Sequence, residues 1–571
     1  MKYNRRTFLK KTITGAAVTG FSGLGFLKSN VRGDPVSIQG IHKTSDKERK
    51  QLIAETRFGR KTPARSRKSM AITSHPLATR EAVNILKSGG NACDAALCAA
   101  ITQTVLQPHM VGITGYLTSM FYDAVSGKTL YVNGSVNVPL GAKKTDGAAA
   151  AWGPGVPGFW AGFEESLSRF GTKSKKELMA PAIRYARAGF EMHPFLWGEI
   201  FMESEKIGCS DAGLKIYMPD NAIPRPYEML YQKEAADTLE RLAEEGNDYF
   251  YRGEFAEEFC RTSQKGGRNI THRDMERYKA YCEEAGSGTY RGFKVRALPI
   301  THNGSKVYAL PMIIETLDVL ELLDIPRQGP PSESPDTMFQ MIQSLSIVRE
   351  DYHRSHGDPN ELAVAKQQLP KELAHERLKK LQAEEVAPDT SSSSLYEGTC
   401  AVTVADGQGN VACIVHSSNQ SPFETGLWVK GVNLCALRTY GGIPGERGLQ
   451  GPAGMIIFKD GKPFLAGGSP SRSLTQCMLQ NTVNILDFGM PIDESVSRPR
   501  YGSLVDKRGI TIEKNYDELV WKAVEKRGVA FHVVNPWNFY HGAFEGIHVE
   551  PGSGMMIACG DPRRHSKAEG V

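Results

Sequence analysis

The strongest constraint on folding lies just after residue 398, where two apolar runs flank a short polar turn. Ala401–Val404 and Val411–Val415 have the alternation of strands, and Asp406-Gly407-Gln408-Gly409-Asn410 joins them. Aspartate, asparagine and glycine in so short a connection are typical of a β-hairpin. The segment before the first run, 385–398, is rich in serine and is predicted to be flexible. The sequence therefore predicts an abrupt change from loop to sheet at Thr399.

The Gly398-Thr399 step also offers a route to a reactive residue. If the chain were cut before Thr399, this residue would carry a hydroxyl and a free α-amino group. An α-amino group has a pKa of about 7.7–8.0, and a threonine paired with its own amine is an activated nucleophile. Gly398 reduces crowding at the carbonyl that would be cut. The alternative is that Gly-Thr only opens an edge strand.

The composition is that of an ordinary soluble protein. Of the 571 residues, 40% are hydrophobic and 23% are charged, and the formal net charge is +6. Residues 1–30 hold six basic residues and no acidic one, so the rest of the chain is close to neutral. A near-neutral body lacks the basic surface that nucleic-acid binding requires. We therefore expect no nucleic-acid partner.

The first thirty residues are organised as a targeting segment. Arg5-Arg6 is followed by Phe8-Leu9-Lys10 and by an uncharged stretch from Thr12 to Leu27. This layout is typical of a bacterial twin-arginine export signal, and a basic N-terminal tail is the alternative. The signal predicts the twin-arginine export machinery as a partner and a periplasmic or other extracytoplasmic location. Residues 31–69 are predicted to be a leader or linker, and the lack of a clear Ala-x-Ala site leaves a retained anchor open.

The ten cysteines do not form a metal-binding pattern. They are scattered from Cys93 to Cys559, without a C-x-x-C pair and without histidines at ligand spacing. Several lie in apolar runs, where cysteine behaves as a small hydrophobic residue. We expect no metal and no organic cofactor, because the chemistry of an N-terminal Thr399 needs only its hydroxyl, its amine and backbone donors.

The residue patterns indicate a mixture of helices and strands. Helices are predicted over 75–107 with a break at Gly89-Gly90, and over 159–170, 233–245, 311–323, 362–384 and 474–488. Strands are predicted as a hairpin over 117–132 and over 455–458, 463–466, 509–512 and 529–534. Asp94 is expected to cap or pack a helix. The segment 175–350 is expected to be mostly helical, with the strands concentrated towards the C-terminal end.

Four segments, taken in order, resemble the γ-glutamyltranspeptidase family of N-terminal-nucleophile hydrolases. They are 75–109 with Gly89-Gly90-Asn91-Ala92, 156–183 with Val156-Pro157-Gly158, 250–278 with Phe250-Tyr251-Arg252-Gly253, and 399–470, which runs from Thr399 to Gly468-Ser469-Pro470. One such segment alone would be weak evidence, whereas the set in one order is specific. The match extends from about residue 70 to about residue 505.

The resemblance implies an α+β fold in four layers, αββα, with two stacked sheets between layers of helices. It also implies that the chain cuts itself before Thr399 into a large subunit, 70–398, and a small subunit, 399–571, which stay together. Thr399 falls on the family's nucleophilic threonine, and Ser417 falls on a later hydroxyl residue that supports it. Asn419 falls on an asparagine that contacts the substrate.

The chain departs from the family at the residues that hold a γ-glutamyl group. The family's arginine aligns near Ser135, its glutamine and aspartate with Leu437 and Tyr440, and its pair of serines near Gln450 and Gly451. Loss of the arginine removes a bidentate partner for a carboxylate. Loss of the aspartate removes the partner of a cationic amine, and burying an unpartnered charge costs on the order of several kcal/mol. These changes predict that the glutamyl clamp is lost.

The reaction machinery departs less from the family. Ser471-Arg472 replaces the glycine pair whose backbone N–H groups form the oxyanion hole, and Cys400-Ala401 replaces the Thr-His that follows the nucleophile. Backbone donors survive a change of side chain, so both N–H groups remain available. Arg438 and Arg472 are additional cations near the site. Either could bind a carboxylate placed differently from that of glutamate, and a solvent-facing arginine is the alternative.

The leading prediction is an exported, self-processing amide hydrolase or acyltransferase that forms an acyl-enzyme on Thr399 and acts on a small amide. Ser417 is the second predicted catalytic residue, and the predicted substrate-binding residues are Asn419, Arg438, Tyr440, Gln450, Gly451, Ser471 and Arg472. Two alternatives stay open. One is a true γ-glutamyl hydrolase or transpeptidase that acts on glutathione-type compounds. The other is a catalytically inactive relative that binds a ligand, which the altered clamp favours and the retained nucleophile step disfavours.

Overall fold

Two seven-stranded sheets form the centre of the protein in the computed structural model, which describes residues 46–142, 155–298, 311–355, 370–383, 398–419, 423–437, 444–449, 454–504 and 508–571. The strands in chain order are β1 Ala64–Ser66, β2 Met70–Thr73, β3 Tyr116–Asp123, β4 Lys128–Gly134, β5 Val136–Asn137, β6 Phe190–Glu191, β7 Met229–Leu230, β8 Tyr281–Glu284, β9 Gly286–Tyr290, β10 Phe293–Ala297, β11 Thr399–Ala405, β12 Val411–Ser417, β13 Trp428–Val429, β14 Val432–Asn433, β15 Arg447–Leu449, β16 Met455–Lys459, β17 Lys462–Gly468, β18 Tyr501–Leu504, β19 Ile510–Glu513, β20 Phe531–Val534, β21 Glu545–Val549, β22 Met556–Ala558 and β23 Lys567–Gly570.

The first sheet has the strand order β23-β2-β11-β12-β3-β4-β8, and the second has the order β1-β22-β21-β17-β16-β10-β9. All neighbouring strands in both sheets are antiparallel. Strand β11 pairs with β2 on one side and with β12 on the other, so Thr399 begins an inner strand. The alternative of an edge strand at Gly398-Thr399 is therefore wrong.

Helices cover the outer faces of the two sheets. The α-helices are Asp46–Glu55, Pro76–Lys87, Ala92–Leu106, Phe159–Phe170, Lys175–Ala188, Pro194–Met202, Ser204–Gly208, Asp211–Tyr217, Lys233–Glu245, Glu254–Lys265, His272–Glu276, Pro311–Glu321, Ile325–Gln328, Pro335–Ser355, Pro370–Gln382, Leu474–Leu486, Ile492–Ser497 and Glu518–Glu525. Short 3₁₀ turns occur at Pro219–Asn221 and Phe539–His541, and a π-helical turn occurs at Asp248–Arg252.

The side-chain alternation along β11 separates two hydrophobic cores. Val402 and Val404 belong to the core shared with the helices Pro76–Lys87 and Ala92–Leu106. Ala405 belongs to the core that the first sheet shares with the second sheet and with the helix Leu474–Leu486. Because successive strand residues point to opposite faces, one strand can serve both cores. The order helix, sheet, sheet, helix confirms the four-layer α+β prediction.

Most of the predicted elements are present with bounds close to those expected. The long helix predicted from 75 to 107 consists of Pro76–Lys87 and Ala92–Leu106, with the break at Gly89-Gly90. Asp94 caps the second helix, because Asn91 and Asp94 exchange side-chain and backbone hydrogen bonds in a capping box. The part of the helix predicted over 362–384 that the structure describes, Pro370–Gln382, is helical.

The described part of 175–350 is mostly helical, as predicted, but one region forms strands that the sequence did not indicate. Residues 281–297 form β8, β9 and β10, and these strands close one end of each large sheet. β8 and β9 are at sheet edges and are only partly buried, so their charged residues and glycines do not give the apolar alternation that marks a strand. The strands are consequently not confined to the C-terminal part of the chain.

Three further observations concern the N-terminal segment, the helices and the cysteines. The predicted export signal at 1–30 lies outside the described residues. Within the described ranges, none of the helices combines the length and the apolar character needed to cross a bilayer. All ten cysteines are free thiols, and eight of them are buried.

Candidate active site

The hairpin β11–β12 is tied to the helical layer through its turn. The Asp406 carboxylate accepts hydrogen bonds from the backbone N–H groups of Gln408 and Asn410 within the turn. The same carboxylate accepts a hydrogen bond of 2.9 Å from the N–H of Ala92, in the first turn of the helix Ala92–Leu106. A carboxylate at this position also suits the positive end of the helix dipole. The turn end of the hairpin is thus fixed. This also fixes the register at the opposite, near end, where β11 begins and β12 ends.

Thr399 and Ser417 form a pair of hydroxyl groups at the near end of the hairpin. The two residues are directly opposite each other in the register, and their hydroxyl oxygens are 2.9 Å apart. Thr399 Oγ1 donates to the carbonyl oxygen of Gly398 at 2.7 Å, and Ser417 Oγ donates to the same oxygen. Thr399 is 6% exposed and Ser417 is 1% exposed. Both hydroxyls of this buried pair therefore converge on the peptide bond that the sequence singles out.

The hydroxyl pair faces the second sheet. Thr399 and Ala401 lie on one face of β11, and Val415 and Ser417 lie on the same face of β12. A Cβ atom at Gly468, the last residue of β17, would lie 3.0 Å from Val415 Cγ2 and 3.4 Å from Ala401 Cβ. The loop that follows β17 therefore begins beside the face that carries the hydroxyl pair.

This loop, Ser469 to Arg472, holds the predicted oxyanion donors. Ser471 has φ of 82°, in the left-handed region that favours glycine. Its hydroxyl donates to the carbonyl oxygen of Tyr540 at 2.6 Å. The carbonyl oxygen of Arg472 accepts a hydrogen bond of 3.0 Å from the Ser503 hydroxyl. Ser471 thus keeps a backbone conformation typical of glycine, and two side-chain hydrogen bonds hold the loop in place.

Asn419 lies just beyond β12 and supports Ser417 through the backbone. Its N–H donates to Ser417 Oγ at 2.9 Å, and its φ is 65°, a conformation that asparagine tolerates better than most residues. Its side-chain Oδ1 is buried and accepts no hydrogen bond from any described residue. A free acceptor beside the hydroxyl pair suits contact with a substrate N–H group.

A buried aromatic and apolar cluster, which we call the apolar wall, continues the row of hydroxyls across the sheet. Ser417 is directly opposite Tyr116 of β3, so Thr399, Ser417 and Tyr116 share one face. With strands about 4.8 Å apart, Tyr116 begins about 10 Å from Thr399. Tyr116 packs in a buried cluster with Val136, Cys435 and Leu437. Leu437 is one of the positions that align with a polar clamp residue, and here it is part of an apolar wall.

The next position in this row is taken by Ser135, which aligns with the family's arginine. Ser135 follows Gly134, the partner of Leu117 across β3 and β4, and it is fully buried. The nearby cation Arg447 donates to Asn137 Oδ1 and to the carbonyl oxygen of Asn133. Its guanidinium is therefore already used to hold β5 and β15 together.

The ionisable side chains on the other face of the hairpin are held in their neutral forms. Burial raises the pKa of the Cys400 thiol to about 12. Burial lowers the pKa of His416 to about 3, and its Nε2 is 2.9 Å from Gln103 Oε1. Both side chains point away from the hydroxyl pair, because successive strand residues alternate. The hydrogen bonds given above for Thr399 and Ser417 involve Gly398, Asn419 and each other, and no titratable side chain.

Four predicted substrate-binding residues, Arg438, Tyr440, Gln450 and Gly451, lie outside the described residues, and their roles stay predictions. The structure brings together Gly398, Thr399, Ser417 and Asn419. Ser471 and Arg472 lie in the loop after β17, as described above. Sequence reasoning missed Tyr116 altogether, because its place beside Ser417 follows only from the pairing of β3 with β12. Alternation within one strand carries no information about its neighbours.

Comparison with known proteins gives one family. The sequence profile of the family described as Gamma-glutamyltranspeptidase matches residues 78–571. The chain is 28% identical over 482 residues to the Glutathione hydrolase proenzyme of Bacillus subtilis strain 168, a match that covers 76% of this chain and 80% of the relative. It is also 28% identical over 510 residues to the Acylase ACY 1 proenzyme of Pseudomonas sp. strain SE83, a match that covers 82% and 88%.

Solved structures show the same fold. The crystal structure of cephalosporin acylase from Bacillus halodurans is similar with a TM-score of 0.77, over 90% of this chain and 98% of the other, at 24% identity. The family profile covers most of the chain, and the relatives bear the names of hydrolases and acylases. The chain therefore belongs to the γ-glutamyltranspeptidase family and is an N-terminal-nucleophile amide hydrolase or acyltransferase.

Proposed function

We propose that the chain is a precursor that cuts itself before Thr399 and then uses Thr399 as the nucleophile of an amide hydrolase or acyltransferase. The observation that carries this proposal is the convergence of the Thr399 and Ser417 hydroxyls on the Gly398 carbonyl oxygen. The word proenzyme in the names of the relatives supports a processed precursor. The cut would divide the chain into a large subunit, 70–398, and a small subunit, 399–571.

Self-cleavage begins with attack by Thr399 Oγ1 on the carbonyl carbon of Gly398. A C–O bond forms, the peptide C–N bond breaks, and the hydroxyl proton ends on the released α-amine of Thr399. Water then hydrolyses the ester and leaves a carboxylate on Gly398. Ser417 donates a hydrogen bond to the carbonyl oxygen on which negative charge develops, and such a donor lowers the barrier. Gly398 presents no side chain to hinder the attack.

The free α-amine then serves as the base for turnover. It accepts the proton of Thr399 Oγ1 as the hydroxyl attacks a substrate amide, and it returns the proton to the leaving amine. The absence of a titratable side chain from the hydrogen bonds of the hydroxyl pair, described above, supports this role for the amine. The backbone N–H groups of Ser471 and Arg472 would stabilise the tetrahedral intermediate. Water or an amine then releases the acyl group from Thr399.

We propose that the acyl group of the substrate is not γ-glutamyl. The Tyr116 ring and Leu437 lie in an apolar wall next to Ser417, and such a wall favours an uncharged acyl chain. The name of the Pseudomonas relative, an acylase, is compatible with this choice. A second candidate is γ-glutamyl hydrolysis, which is favoured by the name of the Bacillus subtilis relative, a glutathione hydrolase. A γ-glutamyl anilide compared with butyryl and phenylacetyl anilides separates the two, since preferred turnover of the γ-glutamyl compound would favour the second.

We also propose that the protein is exported through the twin-arginine pathway to the periplasm. The support is the Arg5-Arg6 pair and the uncharged stretch that follows it. Cell fractionation tests this proposal with the double variant Arg5→Lys and Arg6→Lys. We expect the variant to remain in the cytoplasm, whereas equal export of both forms would contradict the proposal.

Replacement of the nucleophile tests the main proposal. Thr399→Ala should leave a single uncut chain on a denaturing gel and abolish amide turnover, because the attacking hydroxyl is absent. Thr403→Ala is the matched control, since Thr403 is a buried threonine on the same face of β11 whose hydroxyl donates to the carbonyl oxygen of Glu545. The Thr403→Ala chain should be cut to the same extent as the natural protein. Persistence of the cut in Thr399→Ala would refute the mechanism.

A further inference from the structure

A second group of polar side chains is buried on the opposite side of β11 from the hydroxyl pair. Four of its members lie around the ring of Phe195 and the fifth, His75, packs against His193; we call the group the Phe195 cluster: His75, His109, His193, Arg564 and His565. Each of the five is at most 2% exposed. The Phe195 ring centroid lies 4.9 Å from that of His109, 5.6 Å from that of His565 and 5.5 Å from Arg564 Cζ. The ring centroids of His75 and His193 are 5.2 Å apart.

Arg564 carries a buried positive charge that has no ion-pair partner among the described residues. In the same part of the chain its Nε and Nη2 find no hydrogen-bond acceptor, and its Nη1 contacts the sulfur of Met110 at 3.1 Å. Glu199 and Glu545 are the nearest acidic groups, but neither lies within ion-pair distance of Arg564, and burial raises their pKa values to about 7 and about 8. A buried guanidinium that lacks a partner is strongly unfavourable. The site therefore calls for a negative charge beside Arg564.

His109 supplies a second donor close to Arg564. Neither of its ring nitrogens has a hydrogen-bond partner within the described ranges, and one of them must carry a hydrogen in the neutral ring. Burial lowers the pKa of His109, and so do the nearby His193 and the charge of Arg564. His109 is also next in sequence to Met110, which contacts Arg564 Nη1. A hydrogen-bond donor and a guanidinium with unpartnered N–H groups thus lie beside the same Phe195 ring.

His75 supplies a third donor, because a helix cap fixes its tautomer. The N–H of Leu77 donates to His75 Nδ1 at 3.2 Å. A neutral ring that accepts at Nδ1 carries its hydrogen on Nε2, and no described residue accepts a hydrogen bond from His75 Nε2. The same arrangement recurs at His193, whose Nδ1 accepts from the N–H of Leu196. The Nε2 of His75 is therefore a donor without a lone pair, whereas a metal ligand must offer a lone pair.

We propose that the Phe195 cluster binds a small monovalent anion, held by the guanidinium of Arg564 and by the N–H groups of His109 and His75. The ligand must be as small as a halide, because neighbouring ring centroids are only 5.5 Å apart for His109 and His193 and 4.3 Å apart for His193 and His565. Among the described side chains, no group of three or more histidine, cysteine, aspartate or glutamate residues is arranged for a metal ion. Water molecules could satisfy the donors but would leave the charge of Arg564 without compensation.

The anion site is distinct from the reaction site and lies behind the nucleophile strand. Cys400, the residue after Thr399, packs with Met110, Val111 and Phe195. Its side chain points to the opposite face of β11 from Thr399 Oγ1. An anion bound here would join the start of the helix Pro76–Lys87, the loop at His109 and the C-terminal segment at Arg564. We expect it to stabilise the fold and to take no part in the chemistry.

A chloride titration at constant ionic strength tests the proposal, with sodium gluconate as the bulky replacement salt. The thermal midpoint of the full chain should rise with the logarithm of the chloride concentration, as linkage requires for a ligand that binds only the folded state. Arg564→Met should abolish the rise. Arg184→Met is the matched control, because Arg184 is a half-exposed arginine of the helix Lys175–Ala188 that already pairs with Glu81. It should keep the full rise.

Two further measurements keep the proposal testable if Arg564→Met does not fold. His109→Phe preserves a ring beside Phe195 and removes the donor, so the chloride concentration for half of the effect should increase about tenfold or more, as loss of one charge-assisted contact predicts. Crystals soaked in bromide should show an anomalous peak at hydrogen-bond distance from Arg564. A thermal midpoint that is independent of chloride, an unchanged response in His109→Phe, or bromide crystals without this peak would overturn the proposal.

Discussion

At the scale of single residues, Ser471 shows how a residue with a side chain can take the backbone conformation of a glycine. The backbone there has φ of 82°, which a glycine adopts freely and a residue with a side chain adopts only with strain. The Ser471 hydroxyl compensates through its hydrogen bond to the carbonyl oxygen of Tyr540. The Ser471 backbone thus has a conformation typical of glycine although the glycine pair is absent.

Two substitutions at Ser471 separate the strain from the hydrogen bond. Ser471→Gly and Ser471→Ala both remove the hydroxyl, and only the alanine variant keeps a Cβ at positive φ. We expect the glycine variant to have the higher free energy of unfolding, by about 1 kcal/mol. Urea unfolding of both variants measures the difference. An alanine variant as stable as the glycine variant would contradict the strained conformation.

At the scale of elements, the β11–β12 hairpin depends on Asp406. Its carboxylate closes the turn and also accepts the hydrogen bond from Ala92 at the start of a helix. Asp406→Asn should therefore lower the free energy of unfolding by at least about 2 kcal/mol, because hydrogen bonds to a charged acceptor are lost.

The matched control for this prediction is Asp460→Asn. Asp460 is an exposed residue in the turn between β16 and β17, with φ of 50°, which asparagine also adopts. Its effect should be within about 0.5 kcal/mol, as for most surface substitutions. Equal effects of the two variants, measured by urea unfolding, would show that Asp406 does not link the hairpin to the helix.

The helices and strands also show how much of the fold the sequence predicts. The β11–β12 hairpin and the helices Phe159–Phe170 and Lys233–Glu245 follow from local signals such as turn residues and apolar periodicity. Strands β8 to β10 were missed, because their charged residues and glycines do not give that periodicity. The apolar wall at Tyr116 and the Phe195 cluster unite residues far apart in the chain. Only the pairing of strands and the packing of layers bring such residues together, and a local pattern contains neither.

At the scale of the whole molecule, buried neutral histidines make the fold sensitive to acid. Burial lowers the pKa of His416 to about 3, below the ordinary value of about 6.5 that it has in the unfolded chain. Between these values the unfolded chain binds a proton that the folded chain does not. The stability contributed by a neutral His416 is therefore complete above about pH 6.5 and is lost as the pH falls towards 3.

A comparison of the natural protein with His416→Gln isolates this effect. Glutamine can keep a hydrogen bond to Gln103 and does not titrate. The free energy of unfolding of the natural protein should fall relative to that of the variant by about 1.4 kcal/mol per pH unit between pH 6 and pH 4. Urea unfolding at several pH values measures this slope, and a difference that does not change with pH would contradict a buried neutral His416.

The central claim is that one peptide bond, Gly398-Thr399, is both the site of processing and the origin of the nucleophile. The four-layer fold presents this bond at the start of an inner strand, with two hydroxyls on its carbonyl oxygen. The family assignment makes the chain an enzyme, and the claim adds which residue becomes its new N-terminus.

The most direct measurement is the intact mass and N-terminal sequence of the small fragment of the purified protein. We predict a fragment that begins Thr399-Cys400-Ala401 and extends to Val571. Incubation with a reactive amide substrate should add the mass of one acyl group to this fragment and none to the large fragment. A chain that stays uncut, or a fragment that begins at any other residue, would contradict the claim.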